Sequence, residues 1–366
     1  MTVENGASSA GKTVVVFGGT GFVGSRVVRS FAERGYRVRA ASRNASATRL
    51  EVNAPGSVEA VRCDVRDRAS VQRALEGASL VVGSFLGDRQ TLVEGAENVL
   101  SAMEATRVPR MLYLSTAEVY GNAGGQIDET APLLRQGWEY ADAKIEAEGA
   151  CQSAAQRGLK VTLFRPSIVY GPGSETWVIE LGNKLMAGNW GTLGRYGSGT
   201  CNLIYVDDLV DALHGALEAP LEPGATFNLN GPDQLSWNEF FELMNRELGL
   251  PALRDWSRAE ALLRAGLGGL PRGAKALLGK LRAGNRGSAG AKLSVTPENA
   301  RFSAKQRVLE ALKATPRWRS LTELYPRKVV YLDAKARERF GYAPKVSARE
   351  GIARSAAWYR AARAGA

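Results

Sequence analysis

Two residues of this chain, Tyr140 and Lys144, are of types that could transfer a proton, and they stand four positions apart. On a helix this spacing places both side chains on the same face, one turn apart. A lysine ammonium beside a phenol stabilises the phenolate, so the pKa of Tyr140 is expected to fall below its usual value of about 10. The pair therefore predicts a tyrosine that donates and accepts protons near neutral pH.

A glycine-rich turn, GGTGFVG, lies well before this tyrosine in the chain. It follows an apolar run that is typical of a buried strand, Thr13–Phe17, and opens a predicted helix over Gly24–Gly35. In this context glycines let the backbone approach a pyrophosphate, which rests on the N-terminus of the helix. The turn predicts a dinucleotide site formed by Gly18, Thr20, Gly21, Phe22, Val23 and Gly24.

The residues after the next two predicted strands bear on the adenosine half of that cofactor. NAD enzymes usually place an acidic residue after the second strand to hold the ribose 2′-hydroxyl, whereas an arginine suits a 2′-phosphate. This chain has Ser42 and Arg43 there, which favours NADP and leaves NAD open. Asp64 and Val65, after the third strand, are placed to meet the adenine ring.

The elements that must position these residues alternate between strand and helix. Apolar runs predict strands at Thr13–Phe17, Tyr36–Ala41, Ser57–Cys63, Leu80–Gly83, Arg110–Ser115, Lys160–Arg165 and Thr226–Asn230. Helical stretches separate them, which implies a parallel sheet covered on both faces. The expected fold class is α/β, a doubly wound parallel-sheet Rossmann domain with a smaller, mostly helical substrate lobe.

The predicted domain organisation is interleaved. Residues 1–12 form a flexible tail, and residues 13–175 with a return over 201–232 form the cofactor domain. Residues 176–200 and 233–366 form the substrate lobe, because the strand–helix alternation stops after residue 235. In that lobe helices are predicted over 236–248, 259–282, 301–313, 333–340 and 347–363.

The bulk composition is that of an ordinary soluble globular protein. The chain has 366 residues, 45% hydrophobic and 23% charged, and no apolar run of the length that a bilayer requires. Three dispersed cysteines and one histidine make a metal site unexpected and fit a reducing cytoplasm. The polar N-terminal residues do not resemble a signal peptide. A nucleic-acid partner is not expected, and a homodimer is left open.

The net charge of +11 is concentrated in one late segment. Residues 254–329 hold 17 Lys and Arg against 5 Asp and Glu, so this segment accounts for the whole basic excess. Leucines interleave with the cations over residues 262–282, which predicts basic amphipathic helices. The segment is either a solvated basic face or a surface for an anionic substrate, an acidic partner or an anionic membrane.

Six short motifs follow one another along the chain. They are the turn Gly18–Gly24, the segment LSTAEVYG from Leu114, the pair Tyr140 and Lys144, RPSIVYGP from Arg165, YVDDL from Tyr205 and FGYAP from Phe340. With these motifs the chain resembles the extended short-chain dehydrogenases/reductases, a superfamily that includes sugar-nucleotide epimerases and hydroxysteroid dehydrogenases. The resemblance covers most of the chain and implies an enzyme that uses a nicotinamide cofactor.

The resemblance also implies roles for individual residues. Thr116 would bind the reacting oxygen alongside the Tyr140 hydroxyl, and Lys144 would bind the nicotinamide ribose and lower the Tyr140 pKa. Glu118 is a further candidate acid or base. The residues expected at the nicotinamide are Phe85, Pro166, Ile168 and Val169.

Departures from the family patterns favour one branch. Dehydratases carry an Asp where this chain has Ala117, and epimerases commonly carry an Asn where it has Ile168. An arginine that grips the nucleotide phosphates is also missing before the YVDDL motif, where residues 201–204 are uncharged. Arg195 or the basic segment could substitute for it. The RPSIVYGP segment and the long insertion late in the chain resemble the hydroxysteroid dehydrogenase branch, whose members act on apolar alcohols and ketones.

The sequence is compatible with three functions. The favoured one is an NADP(H)-dependent oxidoreductase acting on a carbonyl or hydroxyl carbon of a small-molecule substrate. A sugar-nucleotide epimerase or decarboxylase with transient hydride transfer is the alternative within the enzymes. A non-catalytic NADP-binding sensor or scaffold is the alternative from another class, and the intact Thr116, Tyr140 and Lys144 speak against it.

Overall fold

The computed structural model describes residues 11–44, 54–257, 260 and 319–364. The strands in these residues are β1 (Thr13–Phe17), β2 (Arg37–Ser42), β3 (Ser57–Arg62), β4 (Leu80–Gly83), β5 (Arg110–Leu114), β6 (Gly125–Ile127), β7 (Lys160–Pro166), β8 (Ile168–Tyr170), β9 (Thr200–Tyr205), β10 (Thr226–Leu229), β11 (Gln234–Ser236) and β12 (Val329–Tyr331). The α-helices are α1 (Phe22–Glu33), α2 (Arg68–Leu75), α3 (Arg89–Thr106), α4 (Glu139–Gln156), α5 (Leu181–Met186), α6 (Val206–Glu218), α7 (Trp237–Glu247), α8 (Ala334–Phe340) and α9 (Ala348–Ala364).

The seven strands that the sequence predicts form one sheet. Its order is β10-β7-β5-β4-β1-β2-β3, and every pair of neighbours runs parallel. The strand order reverses on either side of β1, which creates the switch point where such sheets bind ligands. The predicted α/β fold class is therefore confirmed.

Alternate side chains of β1 show how the helices cover the sheet. Val15 and Phe17 pack in one buried cluster with residues of α2, α3 and α4. Val14 and Val16 pack in the other cluster with residues of α1 and α6. Successive residues of a strand point to opposite faces, so an unbroken apolar run is the pattern of a strand covered on both sides.

The described chain divides into two compact units. The first comprises the described residues up to Gly171, together with Asn202–Asp233 and Val329–Gly351. The prediction assigned the last of these segments to the substrate lobe, and this was wrong. Val329 pairs with Gly125 in a parallel β12–β6 ladder, and the Tyr342 hydroxyl donates to the Asn230 carbonyl oxygen at 2.7 Å. Such long-range pairings leave no mark in the local apolar pattern.

The second unit comprises the described residues of Pro172–Cys201, Gln234–Lys328 and Ile352–Ala366. Its core is aromatic: Trp237 is fully buried, with ring centroids 4.7 Å from Tyr325 and 5.4 Å from Trp177. The two basic helices predicted over 259–282 and 301–313, and residues 1–10 of the predicted tail, lie outside the described residues. None of the described helices has the length and apolarity needed to cross a bilayer.

Candidate active site

The glycine turn wraps tightly between β1 and α1. Gly18 has a φ of +80°, and a Cβ there would lie 2.8 Å from the Ser84 carbonyl oxygen. A Cβ on Gly24 would overlap the Gly18 carbonyl oxygen. The Gly21 N–H donates to the same oxygen at 2.9 Å, and no side chain caps α1 at this position. The first N–H groups of α1 thus lie beside a backbone cradle, which fits a pyrophosphate.

The end of β2 lies directly beside this turn. The N–H groups of Gly18 and Gly19 both donate to the Ala41 carbonyl oxygen, at 3.0 and 3.3 Å. The next residue, Ser42, is half-buried, and its hydroxyl has no hydrogen-bond partner among the described residues. Arg43 follows and is exposed. A hydroxyl without a partner among the described residues, next to an exposed arginine, suits a ligand that carries negative charge.

A second arginine, which the sequence analysis missed, stands at this adenosine-side edge. Arg66 holds Asp64 with two parallel hydrogen bonds, from Nε at 3.1 Å and from Nη2 at 2.7 Å. The hydrogen bonds and charge of Arg66, with a smaller contribution from the charge of Arg43, lower the pKa of Asp64 to about 2. Arg43 and Arg66 therefore act on the same carboxylate. The two-residue spacing within DVRD was the available signal.

Two apolar residues predicted to contact the cofactor have their side chains mostly in the core. Val65 is buried in van der Waals contact range of Gly95, and its carbonyl oxygen accepts from Asn98 Nδ2 at 3.0 Å. Phe85 is buried too, with its ring edge against Tyr113 at a centroid distance of 6.2 Å. The Phe85 backbone nevertheless lies next to Gly18, so it borders the glycine cradle.

Three of the predicted catalytic residues come together at the end of β5. Thr116 follows β5 and caps a short 3₁₀-helix over Ala117–Tyr120, because its Oγ accepts from the Glu118 N–H at 3.2 Å. The Thr116 hydroxyl lies close enough to the phenol of Tyr140, in the first turn of α4, to lower the pKa of that phenol. Glu118 is half-buried and close enough for its charge to act on Tyr140.

Lys144 is buried one turn further along α4, but it does not face the phenol of Tyr140. Its Nζ donates to the Leu114 carbonyl oxygen at 2.7 Å and lies 3.4 Å from the Tyr113 hydroxyl. The same ammonium lies over the Tyr113 ring, 4.8 Å from its centroid. Desolvation lowers the pKa of Lys144 to about 8, while the nearby Cys151 and Glu148 raise it.

The prediction that Lys144 lowers the pKa of Tyr140 is wrong for this structure. Desolvation raises the pKa of Tyr140 to about 12; the hydrogen bond with Thr116 lowers it and the charge of Glu118 raises it. The lysine charge is instead directed at the Leu114 carbonyl. At neutral pH the phenol is therefore a protonated donor.

The residues predicted to line the nicotinamide follow β7. Pro166 ends this strand, and Ile168 and Val169 begin β8, where both are half-buried. The end of β7 lies beside the residues that follow β5, because the Ser115 N–H donates to the Phe164 carbonyl oxygen at 2.7 Å. The Ser115 hydroxyl is buried and has no partner among the described residues. The described residues also contain no cluster of His, Cys, Asp and Glu that could hold a metal ion.

This combination of glycine cradle, parallel sheet and paired hydroxyls identifies the class of protein. The sequence profile of the NAD dependent epimerase/dehydratase family matches residues 14–229, more than half of the chain. The chain belongs to this family, and it is an enzyme of the extended short-chain dehydrogenase/reductase type. The resemblance inferred from the six motifs is thereby confirmed.

Individual relatives are redox enzymes and related lyases. The chain is 27% identical to a 2-alkyl-3-oxoalkanoate reductase of Stenotrophomonas maltophilia, over 93% of this chain and 97% of the relative. It is 30% identical to 3beta-hydroxysteroid-dehydrogenase/decarboxylase isoform 3 of Arabidopsis thaliana, over 48% of this chain and 36% of that protein.

Solved structures share the fold. A dTDP-glucose 4,6-dehydratase of Streptomyces venezuelae with NAD bound superposes with a TM-score of 0.69 at 20% identity, over 96% of this chain and 98% of the other. UDP-glucose 4-epimerase of Thermotoga maritima gives a TM-score of 0.67 at 20% identity, over 96% and 99%. At these identities the likeness extends to the fold alone.

Proposed function

We propose that this protein is an NADP(H)-dependent oxidoreductase that passes a hydride to or from a carbonyl or hydroxyl carbon of a small molecule, with Tyr140 as acid and base. The observation that carries the proposal is the approach of the Thr116 hydroxyl to the Tyr140 phenol at the end of β5, with Lys144 buried one turn further along α4. A phenol and a hydroxyl side by side offer two donors to one substrate oxygen.

In reduction each of these side chains has a distinct task. The nicotinamide, when bound, supplies the hydride. Tyr140, protonated at neutral pH because its pKa is about 12, donates its proton to the substrate oxygen as negative charge develops there. Thr116 donates a second hydrogen bond to that oxygen and orients it. Lys144, whose ammonium is bonded to the Leu114 carbonyl oxygen and not to the phenol, would bind the nicotinamide ribose.

The preference for NADP rests on the adenosine-side edge. Ser42 and Arg43 stand where an NAD enzyme usually has a carboxylate, and Arg66 adds a second guanidinium near the same point. Guanidinium groups bind phosphate through charge-assisted hydrogen bonds, which are stronger than neutral ones. A 2′-phosphate would meet two guanidinium groups here, one of them already paired with Asp64, whereas a 2′-hydroxyl would offer them no charge.

The favoured substrate is a ketone with apolar chains. The Stenotrophomonas relative, which this chain matches over 97% of its length, is named as a reductase of such ketones, the 2-alkyl-3-oxoalkanoates. Two of the exposed large apolar side chains of the first unit support this: Leu86 is 66% exposed and Leu134 is 37% exposed. The Leu134 N–H donates to Val119 in the helix capped by Thr116. The loop that holds Leu86 ends at Arg89, whose N–H donates to Glu139 beside Tyr140.

A sugar-nucleotide epimerase or decarboxylase is the second candidate. Its support is Glu118, a carboxylate near Tyr140 that could act as a base. Against it stand Ala117 and Ile168, and the uncharged, buried residues Asn202–Ile204, which offer no cation to a diphosphate. A non-catalytic sensor or scaffold would have no use for a hydrogen-bonded Thr116 and Tyr140.

The test is a cofactor-coupled assay with purified protein. NADPH oxidation is followed with a 2-alkyl-3-oxo acid, a steroid ketone and a UDP-sugar, and NADH is tested in parallel. We expect turnover with the oxo acid that is lost in Tyr140→Phe. Isomerisation of the UDP-sugar without net NADPH consumption would favour the epimerase. Cofactor binding with no turnover of any compound would favour the sensor.

A further inference from the structure

A buried ion pair links the helix and the strand that flank the candidate site. Arg165 of β7 and Glu148 of α4 are 7% and 2% exposed, and Arg165 Nη2 lies 2.6 Å from Glu148 Oε2. A second bond runs from Arg165 Nε to Glu148 Oε1 at 3.0 Å. Glu148 stands four residues after Lys144, which stands four after Tyr140, so all three share one face of α4.

The remaining donor atoms of Arg165 reach a second element of the site. Its Nη1 donates to the Tyr120 hydroxyl at 2.8 Å, and its guanidinium lies 5.1 Å from the centroid of the Tyr120 ring. The Tyr120 hydroxyl in turn donates to Asn228 Oδ1 at 2.7 Å. Tyr120 is the last residue of the 3₁₀-helix that Thr116 caps, so this contact fixes the turn that carries the Thr116 hydroxyl.

We propose that Arg165 is a positioning residue that holds Thr116, Tyr140 and the nicotinamide-side residue Pro166 in register through Glu148 and Tyr120. One guanidinium is bonded to α4, to the Thr116 turn and, through the chain, to Pro166. The inference rests on the proposed function, because the residues that it positions are those assigned to the proton transfer.

Because the Arg165–Glu148 pair is buried, a contribution to stability alone does not explain it. Taking two charges out of water is costly, and replacing a buried ion pair with apolar residues is often neutral or stabilising. A gain in stability is therefore a weak reason for a buried pair at these positions. The planar guanidinium of Arg165, with its five N–H donors, instead fixes the relative positions of the three elements that it bridges. A lysine, which carries a single point charge, could not do this.

The effect on catalysis follows from geometry. Displacing a reacting group by about 1 Å can cost about 100-fold in rate. Arg165→Met and Glu148→Gln should therefore lower kcat by roughly 10- to 100-fold, while the affinity for NADP changes less than about threefold because the glycine cradle is untouched. Arg165→Lys should recover only a small part of the loss. Tyr120→Phe, which keeps the ring, should lower kcat by about 3- to 10-fold.

The double variant Arg165→Met/Glu148→Gln distinguishes positioning from charge balance. It removes both charges, so its thermal unfolding temperature should return to near the wild-type value while kcat stays low. Recovery of kcat in the double variant would overturn the proposal. The matched control is Arg157→Gln, at the C-terminal end of α4, which removes an exposed ion pair with Glu104 of α3 and should leave kcat unchanged.

A readout that needs no turnover keeps this test separate from the proposed function. In protein with isotope-labelled tyrosine, the Tyr140 ring resonance is assigned by its loss in Tyr140→Phe. We expect that resonance to shift in Arg165→Lys and Tyr120→Phe, and to stay in place in Arg157→Gln. An unchanged resonance in both variants would overturn the positioning role even if Arg165→Met failed to fold. Lack of wild-type turnover with a shifted resonance would count against the proposed function alone.

Discussion

The protonation of Tyr140 and Lys144 in the candidate site depends on the surroundings of each side chain. Tyr140 and Lys144 share a helix face, as their spacing predicts, yet the pKa of each moves in the direction that disfavours its charge. Desolvation dominates both shifts, and neither group is the first cause of the other's shift. The phenol is thus poised to donate a proton to a developing oxyanion, which is the requirement of a reductase.

Removal of the Tyr140 hydroxyl tests that assignment. Tyr140→Phe should lower kcat by about 100- to 10,000-fold, the range typical of a positioned acid or base, while the NADP dissociation constant changes little. Tyr36→Phe, which alters a half-buried tyrosine beside Phe31, is the control and should keep full activity. Steady-state kinetics and a fluorescence titration of NADPH measure the two quantities. Near-full turnover in Tyr140→Phe would assign the proton transfer elsewhere, with Glu118 as the first residue to test.

The pH profile should report the ammonium of Lys144. Its pKa is lowered to about 8, so the charge is present below that pH and is lost as pH rises through it. The rate of carbonyl reduction should therefore fall above pH 8, because an uncharged Lys144 would hold the nicotinamide ribose less strongly. Lys144→Arg keeps a positive charge at every accessible pH, so any activity that it retains should lack this alkaline limb. The same limb in both proteins would rule out Lys144 as its source.

The arginines at the adenosine-side edge should determine cofactor choice. Arg43→Ala and Arg66→Ala are each expected to weaken NADP binding by roughly 10- to 100-fold, because a hydrogen bond to a charged group contributes about 1.5–3 kcal/mol. Their effect on NAD should be under about threefold. Arg29→Ala, an exposed arginine of α1, is the matched control. Calorimetric titration of both cofactors measures this, and equal or tighter NAD binding by the wild type would refute the preference.

At the scale of elements, the sequence was a good guide to the strands of the main sheet and a poor guide to the short ones. A run such as Val14–Phe17 fits no other secondary structure, because an unbroken apolar stretch that ends at glycines suits only a buried strand. The three-residue strands β6 and β12 carry no such signal, since each is defined by its pairing with the other. Their pairing is what brings Val329–Gly351 into the first unit.

The junction between β1 and α1 offers a test with an internal control. Gly24→Ala places a Cβ where the Gly18 carbonyl oxygen lies, so the turn must open; NADP binding should drop at least 10-fold, and the unfolding temperature should fall. Gly149→Ala, in α4, meets no atom within 4 Å and should stabilise the protein by up to about 1 kcal/mol. Thermal unfolding with and without NADP compares them. Wild-type NADP affinity in Gly24→Ala would contradict the cradle.

At the scale of the whole molecule, the sequence identified the participants of the candidate site better than their interactions. The spacing of Tyr140 and Lys144 pointed to that pair, and the family resemblance pointed to Thr116. The direction of the Lys144 ammonium depends on the Leu114 carbonyl and the Tyr113 ring, which belong to another element. Arg66 and the bridging role of Arg165 were missed for the same reason: their partners become visible only when strands and helices are assembled.

Charge is the property of the whole chain that most directly suggests a substrate. The net charge of +11 arises in residues 254–329, of which the structure describes only the two ends. A 2-alkyl-3-oxo acid is an anion, so a cationic protein should attract it over a distance set by the Debye length, about 8 Å at physiological ionic strength. The same segment could instead rest on an anionic membrane, through the interleaved leucines of residues 262–282.

We therefore predict that kcat/KM for the oxo acid falls by roughly 3- to 10-fold between low ionic strength and about 0.5 M salt, because screening removes the attraction while leaving the chemistry intact. The methyl ester of the same acid is the matched control: it keeps the apolar chains and the ketone but lacks the charge, so its kcat/KM should stay nearly flat. Co-sedimentation with liposomes that contain anionic lipid, compared with neutral liposomes, tests the membrane alternative. A flat profile for both compounds without liposome binding would leave the basic segment as a solvated surface.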